Sequence, residues 1–158
     1  MSNTIFFRVF IALSVLLAVF TLLQGCSHVS DNTRQINSNI DVFGVELSSR
    51  INHMVLEGVA AEREPCILGY EYLFDSLDVT IGYTHKGVVR SIKTRNENNS
   101  IVGIHPGDSL GDAKKQLAKH GFQPGEKADT FRDLQLMITL FPNENEILFG
   151  VMAEMHSD

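Results

Sequence analysis

Leu77-Asp78-Val79-Thr80-Ile81-Gly82-Tyr83 alternates apolar and polar side chains, and Leu134-Gln135-Leu136-Met137-Ile138-Thr139-Leu140 does so again. A period of two puts Leu77, Val79, Ile81 and Tyr83 on one face of a half-buried strand, as it does Leu134, Leu136, Ile138 and Leu140. Each run leads into a turn and a second extended run. Thr84-His85-Lys86-Gly87 joins residues 78–83 to residues 88–94, which predicts a hairpin. Pro142-Asn143-Glu144-Asn145-Glu146 joins residues 134–141 to residues 147–155 in the same way, and a short strand near Thr130 is expected before them.

Moving outward, the matter before each hairpin also recurs. Val42-Phe43-Gly44-Val45 opens one half and Ile101-Val102-Gly103-Ile104 the other, each followed by a helix signal that ends on Gly and an apolar residue. The second helix is the better specified. Ser109 and Asp112 have capping-box spacing, and Asp108 is an alternative N-cap. Leu110, Ala113 and Leu117 share a face, with Lys114, Lys115 and Lys119 turned to solvent. Gly121 suits the left-handed position after the helix, and Phe122 can close over Leu117. Residues 49–56 read as a shorter copy ended by Gly58, with Val59 placed to reach Met54. Residues 67–74 read as a buried strand.

Helix followed by strands, stated twice, predicts an α+β fold: one mainly antiparallel sheet with both helices on one face. The halves are expected at 40–97 and 98–158, within a single domain spanning 40–158. Gly103-Ile104-His105-Pro106-Gly107-Asp108-Ser109, then a short helix ending Gly121-Phe122, then a meander, resembles small envelope lipoproteins of the BamE (SmpA/OmlA) and β-lactamase-inhibitor-protein type. The resemblance implies a domain that acts by binding other proteins, and it carries no motif from which a binding residue transfers.

The N-terminus has a different character. Val9 to Leu23, VFIALSVLLAVFTLL, is uncharged, follows Arg8, and is shorter than the roughly 20 apolar residues a spanning helix needs. It ends in Leu23-Gln24-Gly25-Cys26, which resembles the lipobox of bacterial lipoproteins. The resemblance implies a signal peptide over 1–25, cleavage between Gly25 and Cys26, and diacylglyceryl and fatty acyl (palmitate-type) chains on Cys26. Two or three chains hold a protein firmly to a bilayer at about 0.8 kcal/mol per buried CH₂. Residues 26–39 then supply the lipidated Cys and a polar tether, SHVSDNTRQINSN, whose reach is roughly 20 Å for a soft chain. The expected location is the cell envelope: the outer membrane of a Gram-negative cell, or the outer face of a Gram-positive plasma membrane.

The chain of 158 residues carries a net charge of −6, with 13 Lys and Arg against 19 Asp and Glu. That balance argues against nucleic acid and against electrostatic docking on anionic lipid, both of which need clustered bases. With Cys26 lipidated, Cys66 is the remaining thiol of the two cysteines, and no intramolecular disulfide can form. It reads as a small buried residue opening a strand, against a nucleophile served by a histidine or an intermolecular disulfide. His28, His53, His85, His105, His120 and His156 are scattered without HxH or HExxH spacing, so no metal or cofactor is expected. Asp108 and Asp112 read as helix-cap residues, not paired catalytic carboxylates, and Glu57, Glu62 and Glu64 as a solvated loop around Arg63. Gly103 to Gly107 is no P-loop, since no Gly-Lys-Ser/Thr follows. Tyr70, Tyr72 and Phe74 share parity, and form the candidate binding surface if their face is open, or core if it is not. The leading expectation is a lipid-anchored, non-catalytic envelope protein that binds another protein. The alternatives are a carrier of a small apolar or cell-wall ligand, and a hydrolase or thiol enzyme using Cys66.

Overall fold

Alternating sequence becomes alternating burial along the central strands, with Val79, Ile81 and Tyr83 buried on one side and Leu136, Ile138 and Leu140 joining them. The computed structural model describes residues 34–155 apart from residue 36, residues 51–55 and residue 57. In chain order the described strands are β1 (Ile40–Asp41), β2 (Glu62–Cys66), β3 (Gly69–Phe74), β4 (Val79–Thr84), β5 (Val89–Thr94) and β6 (Ser100–Ile101). The helix α1 (Leu110–Lys119) follows, then β7 (Gln123–Pro124), β8 (Thr130–Arg132), β9 (Leu136–Pro142) and β10 (Leu148–Met155). Eight strands form one antiparallel sheet in the order β2-β3-β4-β5-β10-β9-β8-β7, and β1 pairs with β6 apart from it.

That order reads the same from either edge if each strand of the first half is matched to its counterpart in the second. The seam between halves is β5 against β10, where Thr94 faces Val151 and Ile92 faces Ala153, with Lys93 and Met152 paired between them. Backbone hydrogen bonds repeat the theme. Ser48 N donates to Val89 O at 2.9 Å, and Gly107 N to Leu148 O at 2.7 Å. Val89 N returns to Ser49 O as Leu148 N returns to Asp108 O, both at 2.9 Å. Thr84 N donates to Val88 O and Asn143 N to Ile147 O, and in both turns a side-chain oxygen, Thr84 Oγ1 or Asn143 Oδ1, also accepts from residue 88 or 147. Left-handed pairs recur at Phe43-Gly44 (φ 52° and 68°) and Val102-Gly103 (φ 56° and 69°). A β-branched residue at positive φ is costly, so Val102 is held there by the surrounding bonds.

These bonds correct the alignment drawn from hydrophobic period. Gly82 pairs with Ser91 and Tyr83 with Val89, which leaves Arg90 as a bulge; Phe141 pairs with Gly150 and Pro142 with Leu148, which leaves Phe149 as a bulge. Val79 therefore corresponds to Ile138 and Ile81 to Leu140, two residues along from the match by spacing. A two-residue slip preserves the buried face, so periodicity alone cannot detect it.

The helix forms as its caps dictate. Ser109 Oγ accepts from Asp112 N at 3.1 Å and donates to Asp112 Oδ2 at 2.9 Å. At the other end Gly121 takes φ 84°, Phe122 N reaches Leu117 O at 3.1 Å, and Gly121 N reaches Ala118 O at 3.1 Å, the paired bonds of a Schellman stop. Leu110, Ala113, Leu117 and Phe122 join the strands' inner side chains in one core. Lys114 extends to Asp129 at 3.0 Å.

Three expectations change. The architecture is sheet-dominated α+β, and the expected pair of helix repeats is not what the described residues show: α1 is the one α-helix described from cap to cap, beside a short 3-10 turn at Asp75–Leu77. The shorter helix expected at 49–56 falls mostly on residues 51–55, outside the described residues, while beside it Ser49 O accepts from Val89 of β5 and Arg50 bridges Val88 just before that strand. The strand expected at 67–74 begins only at Gly69, because Ile67 and Leu68 make the turn from β2. And Glu62, Arg63 and Glu64, read as loop, form that edge strand; their exposure is real, since charged side chains and Pro65 suit an unpaired edge.

Candidate functional site

Alternation leaves the sheet a second face, opposite the core and uncovered among the described residues. Along β3 it carries Glu71 and Leu73, along β5 Lys93, along β10 Met152 and Glu154, and along β9 Met137, Thr139 and Phe141, all half-buried or more exposed. The two bulges add Arg90 and Phe149, with Arg95 just past β5. Equivalent positions of the two halves hold unlike chemistry here: Arg90 on one side answers Phe149 on the other, and Gly82 answers Phe141.

On the first side Gly82 and Ser91 leave room for a guanidinium laid flat on the sheet. A methyl at Gly82 would stand 2.2 Å from Ser91 Oγ and 3.4 Å from an Arg90 terminal nitrogen. Arg90 bonds Glu71 at 3.0 Å and Glu154 through its other terminal nitrogen. Cys66 Sγ lies 3.6 Å from the nitrogen shared with Glu71. Arg90 Nε is buried without a hydrogen-bond partner among the described residues. On the second side Phe141 and Phe149 meet at 6.0 Å between centroids, and Phe149 is 46% exposed. Lys93 Nζ stands 4.7 Å from the Phe141 centroid, and the Arg95 guanidinium 5.8 Å from that of Phe149. Burial first, and repulsion from Arg95 second, hold the Lys93 ammonium below its ordinary range, against an opposing pull from Glu71.

The residues singled out by sequence take other places. Tyr70, Tyr72 and Phe74 face the core side. Phe74 is buried, which removes it from any binding surface, and Tyr70 and Tyr72 are half-buried and pack against the core. Tyr70 stacks on Tyr83 at 5.3 Å, Tyr72 meets Tyr83 edge-on at 5.7 Å, and Arg63 covers the Tyr70 ring at 4.3 Å. Burial, with the neighbouring Tyr70 and Tyr72, pushes the Tyr83 hydroxyl well above the usual tyrosine range. Cys66 closes β2 instead of opening a strand and is half-buried; its side-chain partner is Arg90, not a histidine. His85 approaches Ile67 O, His105 approaches Glu97 O, and His120 approaches Gln116. Among the described residues no group of three His, Cys, Asp or Glu side chains could hold a metal ion. Gly25, Cys26, the signal segment 1–25, the tether up to residue 33, His28, His53 and His156 lie outside the described residues.

Phe141, Phe149, Lys93 and Arg95 were not flagged from sequence. The available signal was the bulge, and it shows only once strand pairing is known. Without it, Phe149 carries the wrong parity for its strand.

The fold and this face define a class: a sheet-dominated α+β module with one sheet face, of mixed aromatic and charged character, uncovered among the described residues. A solved structure is similar in fold, an extracellular protein containing an SCP domain from Bacillus anthracis str. Ames, with a TM-score of 0.51 and 13% sequence identity. The match covers 68% of this chain but 43% of that one, so this chain spans less than half of the solved protein. No known family and no curated protein matches the sequence.

Proposed function

We propose that this chain is a lipid-anchored cell-envelope protein whose open sheet face binds another protein. The observation that carries the reading is that face itself: a half-exposed Phe149 beside Phe141, ringed by Lys93, Arg95 and the Arg90 ion cluster, with no element over it among the described residues. Aromatic and arginine side chains are enriched in protein interfaces, and an aromatic centre with a charged surround is their usual anatomy. The location rests on the lipobox-like Leu23–Cys26 sequence, and the likeness to an extracellular protein agrees with a place outside the cytoplasm. The assignment as a non-catalytic module rests on the pairing of Cys66 with Arg90 instead of with a histidine.

Crosslinking in cells followed by affinity capture tests it, with intact mass read on the captured chain. A lipid mass on the native chain and one stoichiometric envelope partner, lost on Phe149→Asp but kept on Tyr70→Phe, are the expected results. An unlipidated native chain refutes the anchor. A partner retained by Phe149→Asp refutes the assigned face.

A further inference from the structure

Among the described residues the large apolar side chains that stand exposed are Ile67, Leu68, Leu134, Ile147 and Phe149. The first three lie at one end of the sheet. Ile67 and Leu68 make the β2–β3 turn, where Gly69 pairs with Thr84 at the end of β4; Leu134 precedes β9, whose Leu136 pairs with Met155 at the end of β10. β5 joins the two places, since Val89 faces Tyr83 and Ser91 faces Glu154. The described chain also enters here. Ser38 N bonds Arg34 O at 3.1 Å, the Asn37 side chain holds both backbone groups of Leu47 at 3.0 Å, and Ser48 and Ser49 bond Val89.

The β2–β3 turn is a fixed tip. Gly69 takes φ 152°, and a methyl there would stand 2.0 Å from Tyr83 O and 2.9 Å from His85 N. From the neighbouring β4–β5 turn His85 Nε2 meets Ile67 O at 3.3 Å. Ile67 is thus held in solvent at 95% exposure, with Leu68 beside it at 51%. Residues 65–70 and 84–90 contain no acid, and the exposed Lys86 stands on the adjacent turn.

We propose that this end of the domain rests on the lipid bilayer, with Ile67 and Leu68 dipping between the headgroups as a second contact beside the lipid on Cys26. This deepens the anchored reading and rests on it. Residues 27–33 can hold Arg34 no farther than roughly 30 Å from Cys26, at about 3.3–3.6 Å per residue, so the end where the chain enters is kept near the membrane. A protein is the poorer occupant, because a stable protein interface takes about 800 Å² from each side and a two-residue convex turn does not supply it. A bilayer admits a protruding tip and takes its apolar surface out of water. Two aliphatic side chains bind weakly alone, but a linked second contact is intramolecular and gains from a high effective concentration. The contact stands the strands up from the membrane and turns the open sheet face sideways, toward a partner.

The test uses the lipidated full chain in vesicles of phosphatidylethanolamine and phosphatidylglycerol, with acyl chains brominated near the headgroup. The sequence has no Trp, so Ile67→Trp and Ile147→Trp each give a single emitter, at opposite ends of the sheet. Interfacial apolar side chains sit roughly 5–10 Å deep, so Ile67→Trp should shift to the blue and lose about half or more of its emission. Ile147→Trp should keep its emission. Leu68→Trp repeats the measurement one residue on, and circular dichroism reports whether each variant is folded. Tip variants that are unquenched, or quenched no more than Ile147→Trp, overturn the contact, and a lipid mass on the same chain then leaves the anchor standing. A blue shift without bromine quenching assigns the tip to a protein surface and also overturns it. A native chain without a lipid mass refutes the anchor and this inference together.

Discussion

Replacing Arg90 with Met separates the charge of the open-face cluster from its shape. The Arg90 side chain is 13% exposed, and its partners Glu71 and Glu154 are 35% and 20% exposed. Breaking a fully buried ion pair by removing one partner costs roughly 3–5 kcal/mol, while an exposed pair is worth about 0.2–1 kcal/mol. The cluster lies between these limits, and the loss of Arg90 leaves two carboxylates facing each other across β4 and β5. Arg90→Met is therefore expected to cost about 2 kcal/mol, or about 8 °C in melting temperature for a domain of this size. Glu154→Gln should cost less, because Arg90 keeps Glu71. The double variant should show a coupling of about 1 kcal/mol or more between neighbours that share a network. Replacing all three with apolar residues of similar volume should recover most of the loss, since the desolvation of the ions disappears with them. Urea unfolding at constant m-value measures each step. A loss below about 0.5 kcal/mol for Arg90→Met would refute the argument, because the cluster would then behave as an exposed pair.

Other outcomes follow from the same structure. Gly82→Ala should cost about 1–3 kcal/mol by crowding Ser91, and Ser91→Gly in the same chain should return most of it, read by thermal unfolding. Ser109→Ala removes the N-cap acceptor of α1 and should cost about 1 kcal/mol in denaturant unfolding. Lys115 first and Ser109 second hold the Asp112 carboxyl below its ordinary 3.8 by hydrogen bonding. A depressed folded value means the contribution is present above 3.8 and lost as pH falls through the folded value, so wild type and Asp112→Asn should converge in melting temperature at the acid end of a scan. Lys115, raised above 10.5 by the same contact, contributes below 10.5 and loses its share as pH rises through the folded value. Leu117→Ala, at a fully buried position, should cost about 2–5 kcal/mol by chemical denaturation.

Period and cap chemistry made α1, both hairpins and the short strand near Thr130 readable from sequence, while the expected pair of helix-plus-strand repeats was not met. These features are local: Ser109, Asp112, Gly121 and Phe122 act within a few residues of one another, and alternation is a property of a single strand. What was not readable depends on pairing between distant segments. Glu62 to Cys66 looked like loop because an edge strand that must avoid new partners is composed like one. The correspondence of the halves was misplaced by two residues because Val79 to Leu136 and Val79 to Ile138 bury the same side. Phe149 and Arg90 escaped notice because a bulged residue breaks the period that defines its strand. Tyr70, Tyr72 and Phe74 had the right parity for a common face, but parity within one strand does not say which face the core occupies.

The strand that joins the two halves is also the last of the described strands in chain order. β10 lies between β5 and β9 at the middle of the sheet, yet it is formed by the final described residues of the chain. Until Leu148 to Met155 are available, β5 and β9 each present a bare row of backbone donors and acceptors beside Val89, Ile92, Ile138 and Leu140. A chain that lacks β10 thus loses no mere edge; it becomes two sheets with sticky margins, open to pairing with other copies. Protein that stops short of β10 should be found in aggregates or degraded, so this strand decides whether the sheet is one body or two.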